Sequence, residues 1–560
     1  MAEKDYSQLD KPELIKIIEK LESRKKYGLI WDEEKVKEKF EKDAENALPV
    51  LKEIKGKEIV DKDTSKPVNF LIEGDNYHAL SVLNFTHQGK IDVIYIDPPY
   101  NTGDRSWKYN NAFVDDSDEY RHSKWISMMQ KRLLLAKNLL KEDGVLIVAI
   151  DDNEVHRLRM LLDEIMPNHE VTSITIVHNP RGNITNNFAR THEYALFVIP
   201  KGLSAISRIL KDNTTPRKLR RWGHNSTRKL RPTMFYPIYV KDGKIVRIGV
   251  TPDNAFHPKS KNISKKSGEV EVWPIDQDGV ERRWNFGLDS IGDELDRIVA
   301  IEKNGEIDLF LTQEDTLPKT VWTDSDLEAG RNGASLVKAI TGKDFPFPKS
   351  IFTVMRCIQL IVGNRPNAVV LDFFAGSGTT GHAVLELNKQ DNGKRNFLLC
   401  TNNENEICEE ITYPRVKNVI AGYKDPKGKK VLGFGGSLKY FKTKFIKKRN
   451  NGDDFKTRIT AECTEMLCLR EGVFNEIKKG TYYRIFKHGT KTMAVYYSLE
   501  REFLPVLKKE LEKIDGEKIL YCFTLDPSGL SKTEFAGWQG VSLEPIPQKI
   551  LDVYKQIYEY

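Results

Sequence analysis

Between residues 69 and 200, and again between residues 341 and 424, short apolar runs alternate with stretches whose apolar residues recur at helical spacing. The apolar runs predict buried strands, at residues 69–72, 91–96, 145–150, 368–373 and 396–400. The stretches between them predict helices, at residues 77–85, 128–140 and 381–387. This alternation predicts an α/β domain with a parallel sheet and helices on both of its faces.

The alternation is interrupted by residues 201–340, which are polar and irregular. Just before them, residues 173–178 and 194–199 predict a strand pair near a sheet edge. Residues 1–60 carry apolar positions at helical spacing, and residues 425–560 mix helix and strand patterns. We therefore predict an N-terminal helical segment (1–60), an α/β domain in two parts (61–200 and 341–424), an insertion (201–340) and an α+β C-terminal domain (425–560).

Composition changes this picture little. The chain has 560 residues, of which 39% are hydrophobic and 30% charged, as expected for a globular protein with several folding units. The sequence begins with charged and polar residues and has no long apolar run, which argues against export and membrane insertion. Its six cysteines form no C-x-x-C pair, which favours a reducing cytosol and argues against disulfides and a thiolate zinc site.

Positive charge is concentrated in the insertion, although the net charge of the whole chain is only +7. The basic residues that crowd one short stretch are Arg208, Lys211, Arg217, Lys218, Arg220, Arg221, Arg228, Lys229 and Arg231. Such a run is either a solvated loop or a surface that contacts the phosphates of a nucleic acid. The run alone does not decide between the two.

The strongest chemical signal is Asp97-Pro98-Pro99-Tyr100, which directly follows the predicted strand 91–96, at the strand end where parallel sheets bind ligands. These residue types suit methyl transfer to an exocyclic amine of a nucleobase. The Asp97 carboxylate accepts a hydrogen bond from the amine and stabilises its developing positive charge, and the Pro98 carbonyl accepts the second hydrogen. The prolines hold both acceptors in place, and Tyr100 offers a flat face to a base turned out of the duplex. Alone, the four residues also fit a proline-stiffened turn.

A second signal lies at residues 372–380, which read Asp-Phe-Phe-Ala-Gly-Ser-Gly-Thr-Thr and also follow a predicted strand. Glycines at a strand-to-helix turn let the backbone approach a ligand closely. A dinucleotide loop or a tight turn would have similar residues, whereas a P-loop would need a Lys-Ser or Lys-Thr that is absent here.

Together, the two motifs resemble those of the amino-methyltransferases that modify adenine N6 or cytosine N4. The resemblance implies that residues 373–378 form the loop for S-adenosyl-L-methionine and that residues 345–350 close over the methionine end of this cofactor. It places Glu404 at the ribose hydroxyls and Asp75 near the cofactor's adenine, although both also fit as caps of strand ends. The implied cofactor contacts are Asp75, Phe345, Lys349, Ser350, Asp372, Phe374, Gly376, Ser377, Gly378, Thr379 and Glu404.

The order of the motifs, with the base motif first, resembles the permuted beta class, whose DNA-reading region lies between the two halves of the fold. The resemblance implies a permuted Rossmann-like methyltransferase sheet with residues 201–340 as a target-recognition domain. It favours phosphate contact for the basic stretch, and Asp rather than Ser at position 97 favours adenine over cytosine. DNA contacts are expected at Arg217, Lys218, Arg220, Arg221, Arg228, Lys229 and Arg231.

A narrower resemblance covers roughly residues 65–445. Residues 94–103, 151–154, 401–404, 412–415 and 435–441 resemble the modification (Mod) subunit of type III restriction-modification systems. This implies site-specific methylation of double-stranded DNA in the prokaryotic cytosol, a homodimer assembled by residues 425–560, and a restriction (Res) helicase-nuclease partner. No G-x-x-x-x-G-K-[ST] motif occurs, so ATP hydrolysis is not expected of this chain.

Several alternatives stay open at this point. The chain fits a solitary adenine methylase without a restriction partner, or a cytosine-N4 or RNA methylase. A catalytically silent DNA-binding subunit or a generic nucleotide-binding protein would have no need of the intact tetrapeptide. His178 suits the base pocket or a turn equally, and Trp107, Tyr109 and Phe113 suit base stacking or core packing.

Overall fold

The computed structural model describes residues 10–22, 47–63, 65–102, 121–184, 187–447, 452–526, 528–531 and 533–558. Trp107, Tyr109 and Phe113 lie outside the described residues. The chain forms two compact units, the first from Met1–Ser207 with Thr320–Tyr560 and the second from Arg208–Lys319. Within the described ranges, no helix is both long and apolar enough to span a membrane.

The helices and strands of the described part are as follows. The α-helices are α1 (Lys11–Glu22), α2 (Asn76–Thr86), α3 (Arg121–Lys137), α4 (Val155–Ile165), α5 (Leu288–Ile291), α6 (Leu336–Thr341), α7 (Ile351–Val362), α8 (Thr379–Asp391), α9 (Tyr413–Ala421), α10 (Gly452–Glu462), α11 (Thr464–Glu471), α12 (Leu504–Glu512) and α13 (Gln548–Tyr558). The β-strands are β1 (Ala47–Glu53), β2 (Val68–Glu73), β3 (Ile91–Ile96), β4 (Leu140–Ile150), β5 (His169–Val177), β6 (Asn183–Ile184), β7 (Ala189–Arg190), β8 (His192–Pro200), β9 (Ile209–Lys218), β10 (Ile238–Lys241), β11 (Lys244–Ile248), β12 (Asn262–Ser264), β13 (Val270–Val272), β14 (Ile298–Lys303), β15 (Glu306–Thr316), β16 (Val321–Trp322), β17 (Val369–Asp372), β18 (Asn396–Thr401), β19 (Gly422–Lys424), β20 (Lys430–Leu432), β21 (Ser437–Lys447), β22 (Asn475–Lys479), β23 (Tyr483–His488), β24 (Lys491–Tyr496), β25 (Glu517–Phe523) and β26 (Val541–Ile546).

A ten-stranded sheet forms the centre of the first unit, in the spatial order β1-β21-β2-β18-β17-β3-β4-β8-β5-β16. The strands from β21 to β4 run parallel to one another. The later strands β17 and β18 lie between the earlier strands β2 and β3, which is the permuted arrangement that the motif order implied. The predicted α/β fold is confirmed, as is the antiparallel pair of β5 and β8 near one edge.

Both faces of the sheet are buried under helices, which is why its strands are continuous apolar runs in the sequence. In β3, Ile94 and Ile96 pack into one core cluster with α2, α3 and α4, because alternate side chains of a strand point to opposite faces. Val93 and Tyr95 pack into the cluster on the other face, with α7, α8 and α9.

The structure differs from the predicted boundaries in four places. Residues 201–207, expected within the insertion, belong to the first unit. The other three differences come from pairing with a distant strand. Residues 47–53, expected within a helical segment, form β1 and pair antiparallel with β21. Residues 320–340, expected within the insertion, belong to the first unit, where β16 pairs with β5. The C-terminal domain was expected to begin at residue 425. However, β21, which follows that position, is a strand of the central sheet.

The C-terminal part adds a five-stranded sheet in the order β22-β23-β24-β25-β26. It is joined to the central sheet by shared core packing, because Leu467 of α11 and Tyr554 of α13 belong to the same buried cluster as Leu80 of α2. The Tyr554 hydroxyl donates a hydrogen bond to the carbonyl of Pro49 (2.5 Å), and Arg470 donates one to that of Phe85 (2.8 Å). In the second unit, a four-stranded sheet (β11-β10-β13-β12) and a three-stranded sheet (β14-β15-β9) share a core that contains the completely buried Trp284.

Leu371 is completely buried in β17, opposite Ile94 of β3. Leu371→Ala is expected to lower the free energy of unfolding of the first unit by about 2–5 kcal/mol, because it leaves a cavity at the centre of the sheet. The control Leu432→Ala, at a side chain that is 71% exposed, is expected to change it by less than about 0.5 kcal/mol. Urea denaturation followed by circular dichroism measures both, and equal midpoints would contradict the prediction.

Candidate active site

The two sequence motifs meet because β3 and β17 are neighbouring parallel strands, with Leu371 beside Ile94. Asp97 follows β3 and Asp372 ends β17, so both carboxylates lie at the same edge of the sheet. They line one open cavity. The expected site residues that line it are Asp97, Pro99, Phe345, Lys349, Asp372, Phe374, Gly376, Ser377 and Thr379.

The tetrapeptide loop is held from behind by buried side chains. Trp125 donates a hydrogen bond through Nε1 to the carbonyl of Pro99 (2.6 Å). Glu154, which is completely buried, accepts a hydrogen bond from the side-chain amide of Asn101 (2.5 Å). In the ranges that the structure describes, no donor is found for the Pro98 carbonyl.

A buried ammonium group joins the tetrapeptide to a second acid. Lys349 Nζ lies 3.0 Å from Asp97 Oδ1 and 2.9 Å from Glu193 Oε2. The same nitrogen stands 4.5 Å from the ring centroid of Tyr100, whose hydroxyl donates a hydrogen bond to Glu193 (3.2 Å). The family resemblance implied that Lys349 touches the cofactor, and the structure places it against the tetrapeptide, at the wall of the shared cavity.

The charges of this cluster depend on one another. Burial raises the pKa of Asp97, and the ammonium of Lys349 opposes that increase. Burial alone would lower the pKa of Lys349, but the two carboxylates outweigh it and hold this pKa above its usual value. Burial would likewise raise the pKa of Glu193, yet Lys349 keeps it below the usual value. Lys349 is therefore charged at neutral pH and helps to keep Asp97 ionised.

Glu193 is the member of this cluster that sequence reasoning missed. It lies in β8, where the neighbouring residues Ala195–Pro200 are buried and mostly apolar, and only 4% of its own surface is exposed. An acid inside an apolar strand was the available signal, since a buried carboxylate needs a partner charge. His178, left open between pocket and turn, does not line the cavity, and its carbonyl accepts the Ala329 amide (3.0 Å).

The glycine-rich turn positions Asp372 and opens α8. Gly376 and Gly378 have φ angles of 48° and 77°, a conformation that favours glycine. Asp372 accepts hydrogen bonds from the Phe374 amide (2.9 Å) and the Thr380 hydroxyl (2.5 Å). Burial, strengthened by the charge of Asp97, raises the pKa of Asp372 to about 7 despite these two bonds.

These residues fit S-adenosylmethionine, the cofactor that the loop implied. Its sulfonium and ammonium groups are cations, and the cavity presents two acids, Asp97, which already pairs with Lys349, and Asp372. Asp372 has no cationic partner among the described residues within hydrogen-bonding distance, so a bound cation would complete its environment.

Three expected cofactor contacts have other partners. Asp75 caps α2, where it accepts the Tyr77 amide (2.8 Å), and lies 3.5 Å from Arg132. The Ser350 hydroxyl donates to the carbonyl of Asp326 (2.9 Å). Glu404 accepts a long hydrogen bond from Asn402 (3.4 Å). Pro98, Tyr100 and Gly378 also lie outside the cavity lining, and the roles of all six stay predictions.

Comparison with known proteins identifies the family. The family model described as DNA methylase matches residues 91–413, which contain both motifs. The chain belongs to the DNA methylase family. This DNA methylase is 29% identical to the type III restriction-modification enzyme EcoPI Mod subunit of Escherichia phage P1, over 60% of the chain and 58% of that subunit. It therefore spans little more than half the length of that relative.

Two further comparisons complete the picture. The methylase is 31% identical to the type II methyltransferase M.KpnI of Klebsiella pneumoniae, over 61% of the chain and 82% of that enzyme. A putative DNA modification methylase from Thermus thermophilus, solved with S-adenosyl-L-methionine, is 13% identical over 66% of the chain and 97% of its own, with a TM-score of 0.30.

The basic residues expected to contact DNA lie in the second unit of the methylase, where some are buried and others are exposed. Arg228 is buried, pairs with Glu281 (3.0 Å) and lies over the ring of Phe235. Arg220 is also buried, and it donates a hydrogen bond to the carbonyl of Ile275. These two arginines make contacts inside the second unit.

The exposed basic residues form a different group. Arg217, Arg221, Lys229 and Arg231 are exposed, whereas Lys218 is paired with Asp308 (2.8 Å). The Arg221 amide donates a hydrogen bond to the carbonyl of Arg283 (2.8 Å), and the charges of Arg221 and Arg231 add to burial in lowering the pKa of Arg283. We call Arg221, Arg231 and Arg283 the cationic patch.

Replacing Lys349 tests whether it keeps Asp97 ionised. Without the ammonium, the pKa of Asp97 is expected to rise further, so a higher pH is needed to ionise it. The acidic limb of the kcat/KM profile of Lys349→Met should therefore move to higher pH, with a larger loss at pH 6 than at pH 9. Lys338→Met, at an exposed lysine of α6, serves as the control. A uniformly reduced profile with an unmoved limb would refute this role.

Proposed function

We propose that this chain is the modification subunit of a type III restriction-modification system and transfers a methyl group from S-adenosylmethionine to adenine N6 in DNA. The observation that carries the proposal is the meeting of the Asp97–Tyr100 loop and the glycine-rich loop in one cavity. Membership of the DNA methylase family and the likeness to a type III Mod subunit support it.

In the proposed reaction, the protein acts by positioning the amine. S-adenosylmethionine, when bound, supplies a methyl group made electrophilic by the sulfonium. The Asp97 carboxylate accepts one hydrogen of the adenine amine and the Pro98 carbonyl accepts the other, so the nitrogen lone pair turns out of conjugation. Lys349 keeps Asp97 ionised for this task. Flipping the base out of the duplex costs a few kcal/mol of lost stacking.

Recognition of DNA is proposed for the second unit through its exposed basic residues. The cationic patch supplies phosphate contacts, and the adjacent Trp222 is 62% exposed, with the guanidinium of Arg282 4.7 Å from its ring centroid. We also propose that two copies of the chain pair and that a Res subunit joins them, as the likeness to Mod subunits implies. Light scattering of the purified protein tests the pairing.

A methylase of the type II class is the second candidate. The observation in its favour is the likeness to the type II methyltransferase M.KpnI, because the match spans a larger share of that enzyme than of the phage P1 Mod subunit. Both candidates use the same cavity and chemistry. Methylation mapping separates them, since N6-methyladenine in one short asymmetric motif favours the type III assignment.

The chemistry is tested by incubating the protein with tritiated S-adenosylmethionine and unmethylated genomic DNA. Mass spectrometry of the digested DNA should find N6-methyladenine. Asp97→Ala and Tyr100→Ala should lose at least about 10²-fold in transfer rate while keeping their circular dichroism spectra. Asp163→Ala, at an exposed acid of α4, should keep full activity. Finding N4-methylcytosine instead would change the proposed substrate from adenine to cytosine. A fully active Asp97→Ala protein would overturn the mechanism.

Substitution of the cationic patch tests the DNA interface. Arg221→Gln with Arg231→Gln should weaken binding to all sequences alike and reduce the slope of log K against log salt by about 1 per arginine. Fluorescence anisotropy over a salt series measures both quantities. Lys303→Gln, at another exposed cation of the same unit, is the control. An unchanged salt slope in the double variant would exclude the patch from the interface.

A further inference from the structure

Glu193 of β8 is a buried acid to which the proposed reaction assigns no task. The strand around it sends apolar side chains into the core on both faces of the sheet, such as Leu196 on one face and Phe197 on the other. An ionised carboxylate in such surroundings is costly unless it is paired. Folding alone does not require this charge, because well-packed apolar residues in place of a buried ion pair are often as stable.

Glu193 contacts two groups of the active site at once. Its Oε2 lies 2.9 Å from Lys349 Nζ and accepts a hydrogen bond from the Tyr100 hydroxyl (3.2 Å). Lys349 in turn lies 3.0 Å from Asp97 Oδ1 and donates a hydrogen bond to the Tyr100 hydroxyl. Asp97 and Lys349 line the cavity, whereas Glu193 does not. Glu193 therefore stands behind Lys349, on the side away from the space that a ligand would fill.

Asp97, Glu193 and Lys349, which we call the charged cluster, share one net negative charge. Two ionised carboxylates and one ammonium give the cluster a net charge of −1. Four further side chains have pKa values that respond to these charges. They are Tyr95, Tyr100, His178 and Cys357. Burial raises the pKa of the phenols and the thiol and lowers that of the imidazole, so all four are neutral at pH 7.

The proposed reaction depends on the sign of this net charge. The amine nitrogen of the base gains positive charge as it takes the methyl group, and it loses that charge with its proton. A group of fixed charges beside the nitrogen stabilises this state only if the group is negative overall. Asp97 paired with Lys349 alone would be neutral, because the ammonium would cancel most of the attraction that the carboxylate offers.

The second carboxylate resolves this conflict. Lys349 keeps Asp97 ionised, and Glu193 balances the ammonium from the far side, so the cluster stays negative toward the cavity. Its bond from the Tyr100 hydroxyl also holds the ring of Tyr100 in one orientation. An acid at position 193 thus has a reason in the chemistry of the site that packing does not supply.

We infer that Glu193 is a positioning residue that holds Lys349 and keeps the charged cluster negative, so that Asp97 can stabilise positive charge on the amine of the target base. The inference rests on the proposed function, because it takes a base amine as the acceptor of the methyl group. It gives Glu193 and Lys349 opposite effects on Asp97, and these opposite effects can be measured.

Rates of methyl transfer by the full chain, with tritiated S-adenosylmethionine and unmethylated genomic DNA, test the inference. Glu193→Gln removes one negative charge and nearly keeps the shape of the side chain. At pH 9, where the acids of the cavity are ionised, its rate should fall about 10-fold to 100-fold, as expected for the loss of one nearby buried charge. Glu170→Gln, at an exposed acid of β5, the strand that pairs with β8, should transfer at the wild-type rate.

The pH profile of Glu193→Gln gives a second measurement. The charge of Glu193 raises the pKa of Asp97, so its removal lowers that pKa. The acidic limb of the kcat/KM profile should therefore move to lower pH, opposite to the shift expected for Lys349→Met. Asp372, whose pKa is raised to about 7 by burial, titrates in every variant and does not create this difference. An unmoved limb in Glu193→Gln overturns the inference.

The double variant Glu193→Gln with Lys349→Met separates charge from bracing. It removes one charge of each sign, so Asp97 again gives the cluster a net charge of −1. We expect it to transfer faster at pH 9 than Glu193→Gln alone. If Glu193 only braces Lys349 and Tyr100, the second substitution cannot restore activity, and a double variant no faster than Glu193→Gln overturns the inference. Glu193→Asp, which keeps the charge, should be more active than Glu193→Gln.

A thermal melt shows which variants fold. Should Glu193→Gln fail to fold, the double variant is compared with Lys349→Met instead. Its acidic limb should lie at lower pH than that of Lys349→Met, because Glu193 no longer raises the pKa of Asp97, and coincident limbs overturn the inference. Full activity of Glu193→Gln at pH 9 also overturns it, whereas no methyl transfer by the wild-type protein overturns the proposed function itself.

Discussion

The parallel pairing of β3 with β17 is the contact on which the rest of the site depends. The two strands come from distant parts of the chain, and each ends at a loop that carries one of the two motifs. Because parallel strands end at the same sheet edge, the pairing alone brings Asp97 and Asp372 to one cavity. Buried apolar side chains on both faces of the sheet, such as Ile94 and Val93 of β3, fix the register of that pairing.

The cavity concentrates charge in a way that ordinary folding does not require. Asp97 and Glu193 share the ammonium of Lys349, while the donors to Asp372 among the described residues are neutral groups. Burying these ions costs free energy that their mutual attraction offsets only in part. For the proposed reaction, this arrangement leaves a hydrogen-bond acceptor in place before any ligand arrives, which is a form of electrostatic stabilisation that would speed transfer to an amine.

The second unit shows how one sequence feature divides into two physical roles. The basic stretch looked uniform as a charge run, yet Arg228 is enclosed by Glu281 and Phe235, whereas Arg221 and Arg231 are exposed. The guanidinium group suits both roles, because it stacks on aromatic rings, pairs with carboxylates in the interior and binds phosphate at a surface. Charge density by itself therefore does not tell an internal brace from a DNA contact.

The sequence by itself determined the fold class, the strands of the parallel sheet and the two chemical motifs, because these rest on local patterns: apolar runs for β3 and β17, and Asp97 or Gly376 directly after them. The tertiary structure alone decided which partners meet. Residues 47–53 became a strand only through β21, and Glu193 entered the site only through Lys349. The Ser377 hydroxyl accepts a hydrogen bond from Arg415, which comes from a separate helix. Such pairings join residues far apart in the chain, and a local sequence pattern does not specify which distant residue will lie opposite.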